Sequence, residues 1–480
     1  MLLSQLIIES ECQRHQWADV DIAAVAFDSR QVSAGTLFVA QTGTRVDGHN
    51  YIAQAVAAGA SAVVCEHLPQ ELAAGVVYLT TDDSSRMLGE VASAFYGHPS
   101  RKLKLVGVTG TNGKTTTVTL LHSLFRHRGD HAGLLSTIVN KIDDAEIPAS
   151  HTTPDAVELN GLLARMVQAG CRYCFMEVSS HSVVQQRIAG LTFAGGIFSN
   201  ITHDHLDFHH TMAAYIAAKK GFFDGLPSDA FALVNLDDRN GLVMVQNTKA
   251  QVYTYSLRQM ADFRCRVIDS SFDGLQLQLD DVEVWCRLVG RFNAYNLTAI
   301  YATAVLCGLE RVEALRLLSV LEPANGRFAL VQGGDINAVI DYAHTPDALE
   351  NVVGTINAIR RPEQTLITVV GCGGDRDRTK RPEMARIAVQ GSGRVILTSD
   401  NPRTENPETI LDEMEAGLTD DEKLRVLRIS DRRSALRAAV MTARPGDIVL
   451  VAGKGHETYQ EINGVRHHFD DREEMEKLLK

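Results

Sequence analysis

The strongest constraint on the fold is one stretch that reads as an apolar strand, a glycine-rich turn and then a helix, LVGVTGTNGKTTT at residues 105–117. Gly110 and Gly113 allow backbone N–H groups to converge on phosphate oxygens, and the helix N-terminus adds the positive end of its dipole. Lys114 can reach the β- and γ-phosphates of a nucleotide, and the hydroxyl of Thr115 can ligate Mg²⁺. The stretch therefore predicts a P-loop that binds ATP.

One position departs from the general P-loop pattern G-x-x-x-x-G-K-[ST]. Val108 stands where the first glycine is expected, and the glycine occurs at position 110, which gives the subtype T-G-T-x-G-K-T. A glycine-rich turn without a ligand is the alternative, and it is disfavoured because Lys-Thr follows the glycines in the right strand and helix context. We expect the helix to end at Gly129, after three cationic residues. The residues of this loop predicted to contact ATP are Gly110, Thr111, Asn112, Gly113, Lys114, Thr115 and Thr116.

Composition limits the possible classes of protein. A length of 480 residues suggests about three domains, and 45% hydrophobic with 22% charged residues argues against disorder. The net charge of −12, without a long basic run, argues against a nucleic-acid partner. No apolar stretch is long enough to span a membrane, and the eight scattered cysteines are typical of buried thiols rather than of a metal or redox site. We expect a cytoplasmic protein and a monomer.

The chain divides into three blocks of α/β sequence. Residues 1–97 are mixed α/β, and residues 98–325 alternate apolar strands with helices, as in a parallel sheet covered by helices. After a break near residue 325 the same alternation restarts and continues to residue 480. The predicted fold class is α/β in three domains: a mixed N-terminal domain, a central P-loop ATPase domain with a parallel sheet, and a C-terminal Rossmann-like domain.

Two segments of the central block carry candidate groups for metal or substrate. Glu177 ends the apolar strand YCFMEV, where a parallel sheet would present a Mg²⁺ ligand, although a solvated strand end is an equal alternative. The histidine- and aspartate-rich segment at residues 199–210 fits no zinc spacing. His205 is its strongest candidate for Mg²⁺ or substrate, with Asp204 and Asp207 orienting it or binding substrate. Two adjacent lysines on the next helix read as a solvated face when taken alone.

The third block points to an amino-acid site. The segments GCGGDRDRTKRP, TSDNPR and AGKGHE each follow an apolar strand, so they should open on one edge of a sheet. Arginines hold carboxylates and acidic groups hold ammonium ions, which suits a zwitterion. His344, after another strand, is a candidate to contact the nucleotide or close the cleft. The candidates for the amino acid are Arg376, Arg378, Asp400, Arg403, Lys454 and Glu457. ATP and a carboxylate would give an acyl phosphate, which an amine attacks to form an amide.

Taken together, the motifs resemble the Mur ligase family of peptidoglycan synthesis over essentially the whole chain. The combination that carries the resemblance is TGTNGKTTT, HTTPDA, MEVSSH, HDHLD, AAKxxFF, DYAHTPDAL, GGDRDxxKRP, DNPR and GKGHE. One departure is the segment NGRF at residues 325–328, where the family has a PGRM-like sequence; the proline is missing, but Gly326 and Arg327 remain.

The resemblance implies a role for several residues. It makes Lys114, Glu177, His205 and Lys219 the catalytic set, with Lys219 reacting with CO₂ to form a carbamate that helps to hold a second Mg²⁺. By the same comparison, Thr115, Glu177, His205 and the carbamylated Lys219 are the metal ligands, and His344 joins the ATP contacts. The residues that resemble contacts to the nucleotide-sugar peptide are Ser29, Arg30, Thr152, Thr153, Ser179, Gln185 and Arg187.

The DNPR segment is the element that discriminates within the family. Members that add diaminopimelate carry arginine at its fourth position, here Arg403, which would clamp the far carboxylate that lysine lacks. The residues implied in this site are Arg378, Asp400, Asn401, Pro402, Arg403, Gly453 and Glu457. The resemblance thus implies an ATP- and Mg²⁺-dependent ligase that adds meso-diaminopimelate to UDP-MurNAc-L-Ala-D-Glu. The alternatives are a lysine-adding member, a folylpolyglutamate-synthase-like ligase and a P-loop switch protein without synthetic chemistry.

Overall fold

The computed structural model describes residues 1–43, 46–149, 151–202, 204, 206–324, 326–333 and 335–480. The first part of the chain forms a five-stranded sheet in the order β1-β5-β4-β3-β2, in which only the β1–β5 pair is antiparallel. Its strands are β1 (Gln13–His15), β2 (Ala24–Ala26), β3 (Thr36–Val39), β4 (Ala60–Cys65) and β5 (Val77–Thr80). The helices of this part are α1 (Leu3–Leu6), α2 (Ile52–Ala57) and α3 (Ser84–Phe95), with 3₁₀ turns at Ser29–Gln31, Gly48–Tyr51 and Pro99–Lys102.

The second sheet has eleven strands in the order β16-β15-β14-β13-β12-β11-β6-β10-β7-β8-β9. Its strands are β6 (Lys104–Thr109), β7 (Ala132–Leu135), β8 (Val139–Ile142), β9 (Ala145–Pro148), β10 (Tyr173–Glu177), β11 (Gly195–Phe198), β12 (Phe231–Asn235), β13 (Gln251–Ser256), β14 (Phe263–Ser271), β15 (Gly274–Leu279) and β16 (Val282–Cys286). The helices are α4 (Lys114–Arg128), α5 (Ala156–Gln168), α6 (Ser180–Val184), α7 (Leu206–His209), α8 (Met212–Asp224), α9 (Gly241–Met244), α10 (Arg291–Leu306) and α11 (Arg311–Leu318).

The centre of this sheet is parallel, as the alternation of strands and helices predicts. Strand β6 lies between β10 and β11, so the loop that follows β6 opens at the middle of the sheet. Antiparallel strands extend both edges, β15–β16 on one side and β8–β9 on the other. Helix α4 ends at a glycine cap with φ of +97°, Gly129, which confirms the predicted end of this helix.

The third sheet has six strands in the order β17-β18-β22-β19-β20-β21, with only β17 antiparallel. Its strands are β17 (Ala329–Gly333), β18 (Ile336–Asp341), β19 (Leu366–Val370), β20 (Arg394–Leu397), β21 (Val426–Arg428) and β22 (Ile448–Ala452), and a separate hairpin pairs β23 (Tyr459–Ile462) with β24 (Val465–His468). The helices are α12 (Pro346–Ile359), α13 (Lys380–Gly391), α14 (Pro407–Glu415), α15 (Asp420–Lys423), α16 (Arg432–Thr442) and α17 (Asp471–Leu478). Strands β19 and β22 are buried at every residue, because helices cover both faces of the sheet.

Most of the cysteines are buried thiols, as their scattered positions in the sequence predict. All eight cysteines are free, and seven of them are buried. Burial raises the pKa of the Cys65 and Cys171 thiols to about 11 and that of Cys372 to about 12, so these thiols are poor nucleophiles and metal ligands. Among the helices that the structure describes, none is both long and apolar enough to cross a membrane.

A fully buried ion pair fixes the C-terminal helix beneath the third sheet's loops. Arg432 donates to both oxygens of Asp471 at 2.7 and 2.8 Å, and both side chains are 0% exposed. The same guanidinium donates to the carbonyl oxygens of Ser399 and Ala452, which lie where two of the predicted amino-acid loops begin. The pair thus ties α16 and α17 to the base of those loops.

We predict that Asp471→Ala destabilises the protein by about 3–5 kcal/mol, because it leaves the Arg432 charge buried without a partner. The matched control is Glu476→Ala in the same helix, which removes an exposed ion pair with Arg472 and should cost about 0–1 kcal/mol. Denaturant unfolding of the full chain measures both. Equal effects of the two substitutions would contradict the role assigned to the buried pair.

Candidate active site

The P-loop of residues 110–113 connects β6 to α4, and its backbone conformation requires glycine. Gly110 has a φ of +147° and Gly113 a φ of +89°. A Cβ atom at Gly110 would collide with the hydroxyl of Ser199, and one at Gly113 would meet the amide oxygen of Asn296. The loop is thus packed against its neighbours while its other face lines a cleft.

Two lysines converge on this loop. Lys114 Nζ donates to the carbonyl oxygens of Gly110 at 2.9 Å and Thr111 at 2.8 Å, and Lys219 Nζ donates to the same Gly110 oxygen at 2.7 Å. Burial lowers the pKa of Lys114, opposed by the carboxylates of Glu177 and Asp204. The pKa of Lys219 lies well below its usual value, first because the amine is buried and second because Lys114 is a nearby cation. The arrangement favours a neutral amine at Lys219.

The structure separates Lys219 from Lys220, two adjacent lysines that only the family resemblance distinguished in the sequence. Lys219 is only 1% exposed and lies 4.6 Å from the centre of the Tyr215 ring. Lys220 forms an i,i+4 ion pair with Asp224 at 2.6 Å. Helix α8 therefore presents Lys219 to the P-loop, whereas Lys220 points along the helix surface to Asp224.

Glu177 lies beside the P-loop threonine, as its place at a strand end predicts. Strand β10 pairs in parallel with β6, which brings Glu177 opposite Val108. The Thr115 hydroxyl donates to Glu177 Oε1 at 2.9 Å, and the same oxygen accepts from the Thr137 N–H at 2.8 Å. Glu177 is 1% exposed.

A hydroxyl and a carboxylate at this distance are oxygen donors of the kind that Mg²⁺ takes, together with water and substrate phosphates. Over the described ranges, no group of three or more His, Cys, Asp or Glu side chains could enclose a metal by itself. Mg²⁺ retains several waters and needs only one or two carboxylates from the protein, so the Thr115 and Glu177 oxygens fit this ion. His205, the third predicted ligand, lies outside the described residues.

Residues predicted to contact the nucleotide-sugar peptide fall into two groups. Thr153 donates to the Glu177 carbonyl at 2.8 Å and accepts from the Ser179 N–H, and Arg187 donates to the Thr153 carbonyl at 2.7 Å. Together with Thr152, these residues line the cleft. Ser29, Arg30 and Gln185 are not among the described residues of the cleft wall. Ser29 instead donates to Gln54, and Arg30 pairs with Asp28 on the first sheet.

The predicted amino-acid residues gather at the carboxyl edge of the third sheet. The buried Lys454 amine donates to Asn401 at 3.0 Å, to Glu457 at 3.2 Å and to Asp400 at 3.4 Å. Asn401 donates to Glu457 at 2.7 Å. Burial and the neighbouring Asp400 raise the pKa of Glu457, while Lys454 opposes the shift. These loops therefore hold a compact set of positive, negative and amide groups.

Arg403 and Arg378 lie at the outer part of the same edge. Arg403 has a φ of +50° and donates to the Gly374 carbonyl at 2.7 Å. Arg378 donates to Glu405 at 2.8 Å and to Glu413 at 3.2 Å. Gly453, Asp400, Asn401 and Arg403 line the cleft, whereas Arg378 and Pro402 are not among the described residues of its wall.

The hairpin β23–β24 supports this edge, and sequence reasoning missed it. The Gln460 amide donates to the Asp400 carbonyl at 2.7 Å, and the Glu461 N–H donates to the Asn401 side chain at 2.9 Å. The Arg403 N–H donates to the Glu461 carbonyl at 3.0 Å. The dipeptide Asn463-Gly464, with both residues at positive φ, is a local signal for this hairpin that sequence reasoning overlooked, whereas the contacts of the hairpin are long-range.

Several contacts join the second and third sheets directly across the P-loop. Asn112 donates to Asp347, at the first turn of α12, at 2.5 Å, and Arg327 donates to the Thr115 hydroxyl at 3.2 Å. The Arg327 guanidinium also lies 4.8 Å from the centre of the Tyr342 ring. Sequence reasoning assigned no role to Asp347 or Tyr342, because only the fold brings them to the P-loop.

His344, predicted to contact the nucleotide or close the cleft, lies next to these contacts and lines the cleft. Its ring is 4.6 Å from that of Tyr342, and its backbone carbonyl accepts from Lys380 at 2.8 Å. Burial and the charge of Lys380 lower the pKa of His344 to about 4, so the imidazole is neutral at physiological pH.

One cleft of about 1480 Å³ contains most of the predicted site. Its walls include the P-loop, Glu177 and Lys219 from the second sheet and Asp400, Arg403 and Glu457 from the third. A P-loop that faces a second α/β sheet across a shared cleft defines the class: an ATP-using enzyme that acts on a second bound molecule.

Comparisons with known proteins identify the family. The Mur ligase family catalytic domain matches residues 21–96, the Mur ligase middle domain residues 108–304, and the Mur ligase glutamate ligase domain residues 326–455. The chain is 57% identical, over 96% of its length and 95% of the relative, to the UDP-N-acetylmuramoyl-L-alanyl-D-glutamate–2,6-diaminopimelate ligase of Cytophaga hutchinsonii. The chain therefore belongs to the Mur ligase family, and it is an ATP-dependent, amide-forming ligase.

Solved structures agree with this assignment. A structure of a UDP-N-acetylmuramoyl-L-alanyl-D-glutamate–2,6-diaminopimelate ligase matches with a TM-score of 0.72 and 35% identity, covering 100% of this chain and 99% of the other. The folylpolyglutamate synthase of Mycobacterium tuberculosis, solved with ADP and AMPPCP, matches with a TM-score of 0.61 and 17% identity. That match covers 75% of this chain and 91% of the synthase, and it shows a shared fold only.

We predict that Gly113→Ala weakens ATP binding about ten- to hundredfold, because a side chain at positive φ costs about 1–3 kcal/mol and its Cβ would press on Asn296. The matched control is Gly129→Ala, which has a similar φ of +97° but no atom within 4 Å of the added Cβ. Gly129→Ala should lower the stability of the protein by a similar amount, because it also places a side chain at positive φ, but it should leave the affinity for ATP unchanged. Titration calorimetry with ATP compares the two variants, and equal affinities would contradict this account of the P-loop.

Proposed function

We propose that this ligase adds meso-2,6-diaminopimelate to the D-Glu γ-carboxylate of UDP-MurNAc-L-Ala-D-Glu, with ATP as the energy source. The observation that carries the proposal is the shared cleft, in which the P-loop and Lys219 face Asp400, Asn401, Arg403 and Glu457. The name of the relatives that are 52–57% identical to this chain supports the choice of substrates.

In the proposed division of labour, residues 1–97 bind the nucleotide-sugar, residues 98–325 bind ATP and residues 326–480 bind the amino acid. Ser29 and Arg30 belong to the first region, which explains why they lie apart from the cleft walls. We propose that the protein acts in the cytoplasm and as a monomer.

The chemistry that we propose has two steps. The γ-carboxylate attacks the γ-phosphorus of ATP, the bond to the β–γ bridging oxygen breaks, and ADP leaves. The diaminopimelate amine then attacks the acyl carbon, loses a proton, and phosphate departs as the amide forms. The protein positions the reactants and offsets charge, and Lys114 is the group that neutralises the transferred phosphoryl oxygens.

Thr115 and Glu177 would hold Mg²⁺ at the phosphates, and His205 and a carbamylated Lys219 would complete the ligands that the family resemblance implies. When bound, Mg²⁺ would add positive charge to the phosphate oxygens. The carbamate forms when the neutral Lys219 amine attacks CO₂, which creates an N–C bond and releases one proton. The buried, weakly basic amine of Lys219 supports this assignment.

For the amino acid, we propose that Asp400 and Glu457 bind an ammonium group and that Arg403 binds the carboxylate at the far end of diaminopimelate. Acidic groups and an arginine at opposite parts of one edge suit an amino acid with a second, distant carboxylate. A lysine substrate would offer Arg403 no carboxylate, which favours diaminopimelate over a lysine-adding reaction.

Product analysis tests the proposed function directly. Incubation with ATP, Mg²⁺, UDP-MurNAc-L-Ala-D-Glu and meso-diaminopimelate should give a product whose mass is that of the two joined molecules less one water. A folylpolyglutamate-synthase-like ligase would instead extend a folate with glutamate, and a switch protein would form no amide. Either of those outcomes would contradict the proposal.

We predict that Lys219→Ala lowers kcat about a hundredfold or more, because it removes a charge-bearing group at the phosphoryl-transfer site. Its matched control, Lys220→Ala, removes only the pair with Asp224 and should leave kcat within about twofold. Wild-type activity should also fall when CO₂ is removed and return when bicarbonate is added. Full activity of Lys219→Ala would refute the assigned role.

We predict that Arg403→Ala raises the KM for meso-diaminopimelate about ten- to hundredfold and leaves the KM for ATP within about twofold, because a charge-assisted contact to one substrate is lost. Arg472→Ala is the control, since Arg472 pairs with Glu476 in α17. Steady-state kinetics with each substrate varied in turn measures the effect. An equal rise in both KM values would contradict the specific role of Arg403.

A further inference from the structure

The structure contains a buried arginine, Arg381, that none of the proposed chemical steps uses. Its side chain is 0% exposed in the first turn of α13, and its Nε atom has no hydrogen-bond partner. Burying a guanidinium is costly unless the charge is paired and its donors are satisfied. The partners of Arg381 therefore indicate why a charge is kept at this place.

Those partners are two carboxylates and one loop carbonyl. Arg381 donates to both oxygens of Glu405, at 2.9 and 3.0 Å, and to Glu413 at 2.6 Å. It also donates to the Gly373 carbonyl at 3.1 Å. Arg378 completes the cluster, since it donates to the same two glutamates. Two arginines and two glutamates thus form a group with no net charge.

Glu405 is the centre of this cluster. It accepts from Arg381 and Arg378 and also from the Asp375 N–H at 2.5 Å. The bonds from Arg381 hold the pKa of Glu405 at about 2, so its carboxylate is charged at every physiological pH. Glu405 lies two residues after Arg403, and Asp375 lies in the loop after β19. The carboxylate thus joins the two loops.

Further hydrogen bonds connect the loop at residues 373–375 to residues that line the cleft. The Gly374 N–H donates to the Asn401 carbonyl at 2.9 Å, and the Arg403 guanidinium donates to the Gly374 carbonyl at 2.7 Å. Thr404 donates to Asp375 at 2.8 Å. The direction of the Arg403 side chain therefore depends on where the loop at residues 373–375 lies, and that loop is held by Arg381 and Glu405.

We propose that the Arg381–Glu405 pair is a positioning device that sets the register between the loops at residues 371–378 and 400–405, and through it the aim of Arg403 at the amino acid. Neither residue touches the substrate. This inference rests on the proposed function, since it assigns the amino-acid site to these loops. The fork of an arginine suits the role, because it fixes two carboxylate oxygens and a carbonyl in one plane.

The test is Glu405→Gln, which keeps the volume but places an amide donor against the donors of Arg381, Arg378 or Asp375. The KM for meso-diaminopimelate should rise about ten- to hundredfold, and the KM for ATP should stay within about twofold. The preference for meso-diaminopimelate over L-lysine should also decrease. The matched control is Glu408→Gln, three residues after Glu405. Glu408 is 53% exposed and pairs with Arg428, outside the cluster.

A purely structural role would give a different result. Glu405→Gln would then lower the thermal midpoint or the amount of active enzyme and leave the KM for meso-diaminopimelate and the preference over L-lysine unchanged, which would overturn the inference. If Glu405→Gln does not fold, Glu413→Gln serves in its place, because Glu413 binds the same two arginines and is 30% exposed. A smaller but selective rise in the same KM is expected there, and its absence would also overturn the inference. A wild-type enzyme that forms no diaminopimelate amide would instead refute the proposed function itself.

Discussion

The carbonyl oxygen of Gly110 accepts hydrogen bonds from two lysines, the half-buried Lys114 and the buried Lys219, and the site depends on this arrangement. Lys114 and Lys219 approach one oxygen from two different helices, α4 and α8. Because burial penalises both charges and each amine also repels the other, one of them is favoured in the neutral form. Lys219 is the more strongly affected, and a neutral amine is what the proposed reaction with CO₂ needs. The loop predicted to bind phosphate would thus also prepare the second lysine.

The position of this loop follows from the order of the strands. Strand β6 is the middle of the second sheet, and its neighbours β10 and β11 end at the same edge. Glu177 therefore comes to the P-loop threonine, and Ser199 and Asn200 pack beneath Gly110. The third sheet presents its own carboxyl edge to the same cleft, so the proposed ATP and amino-acid sites lie between two edges rather than within one domain.

Much of this could be predicted from the sequence, and the rest could not for physical reasons. The P-loop and the strand that ends at Glu177 are local patterns, and the three-part α/β fold follows from the alternation of strands and helices. The antiparallel strands at both edges of the second sheet are pairings that alternation does not specify. Lys219 and Lys220 are adjacent in sequence, and only the packing of α8 decides which one faces the P-loop.

Contacts between distant segments were the least predictable part of the site. Asp347 meets Asn112 across 235 positions of the chain, and the hairpin β23–β24 supports the loop at Arg403 from about sixty positions away. No local pattern marks such partners, because each is set by how whole sheets pack. Several polar groups of the amino-acid edge are bonded to one another through such contacts.

If the two edges act on one reaction in a shared cleft, phosphate release should depend on the amino acid. The enzyme is supplied with ATP, Mg²⁺ and UDP-MurNAc-L-Ala-D-Glu, and phosphate is measured with and without meso-diaminopimelate. We expect sustained release to require the amino acid and one phosphate to appear for each amide formed. Release at the same rate with or without meso-diaminopimelate would contradict a shared reaction.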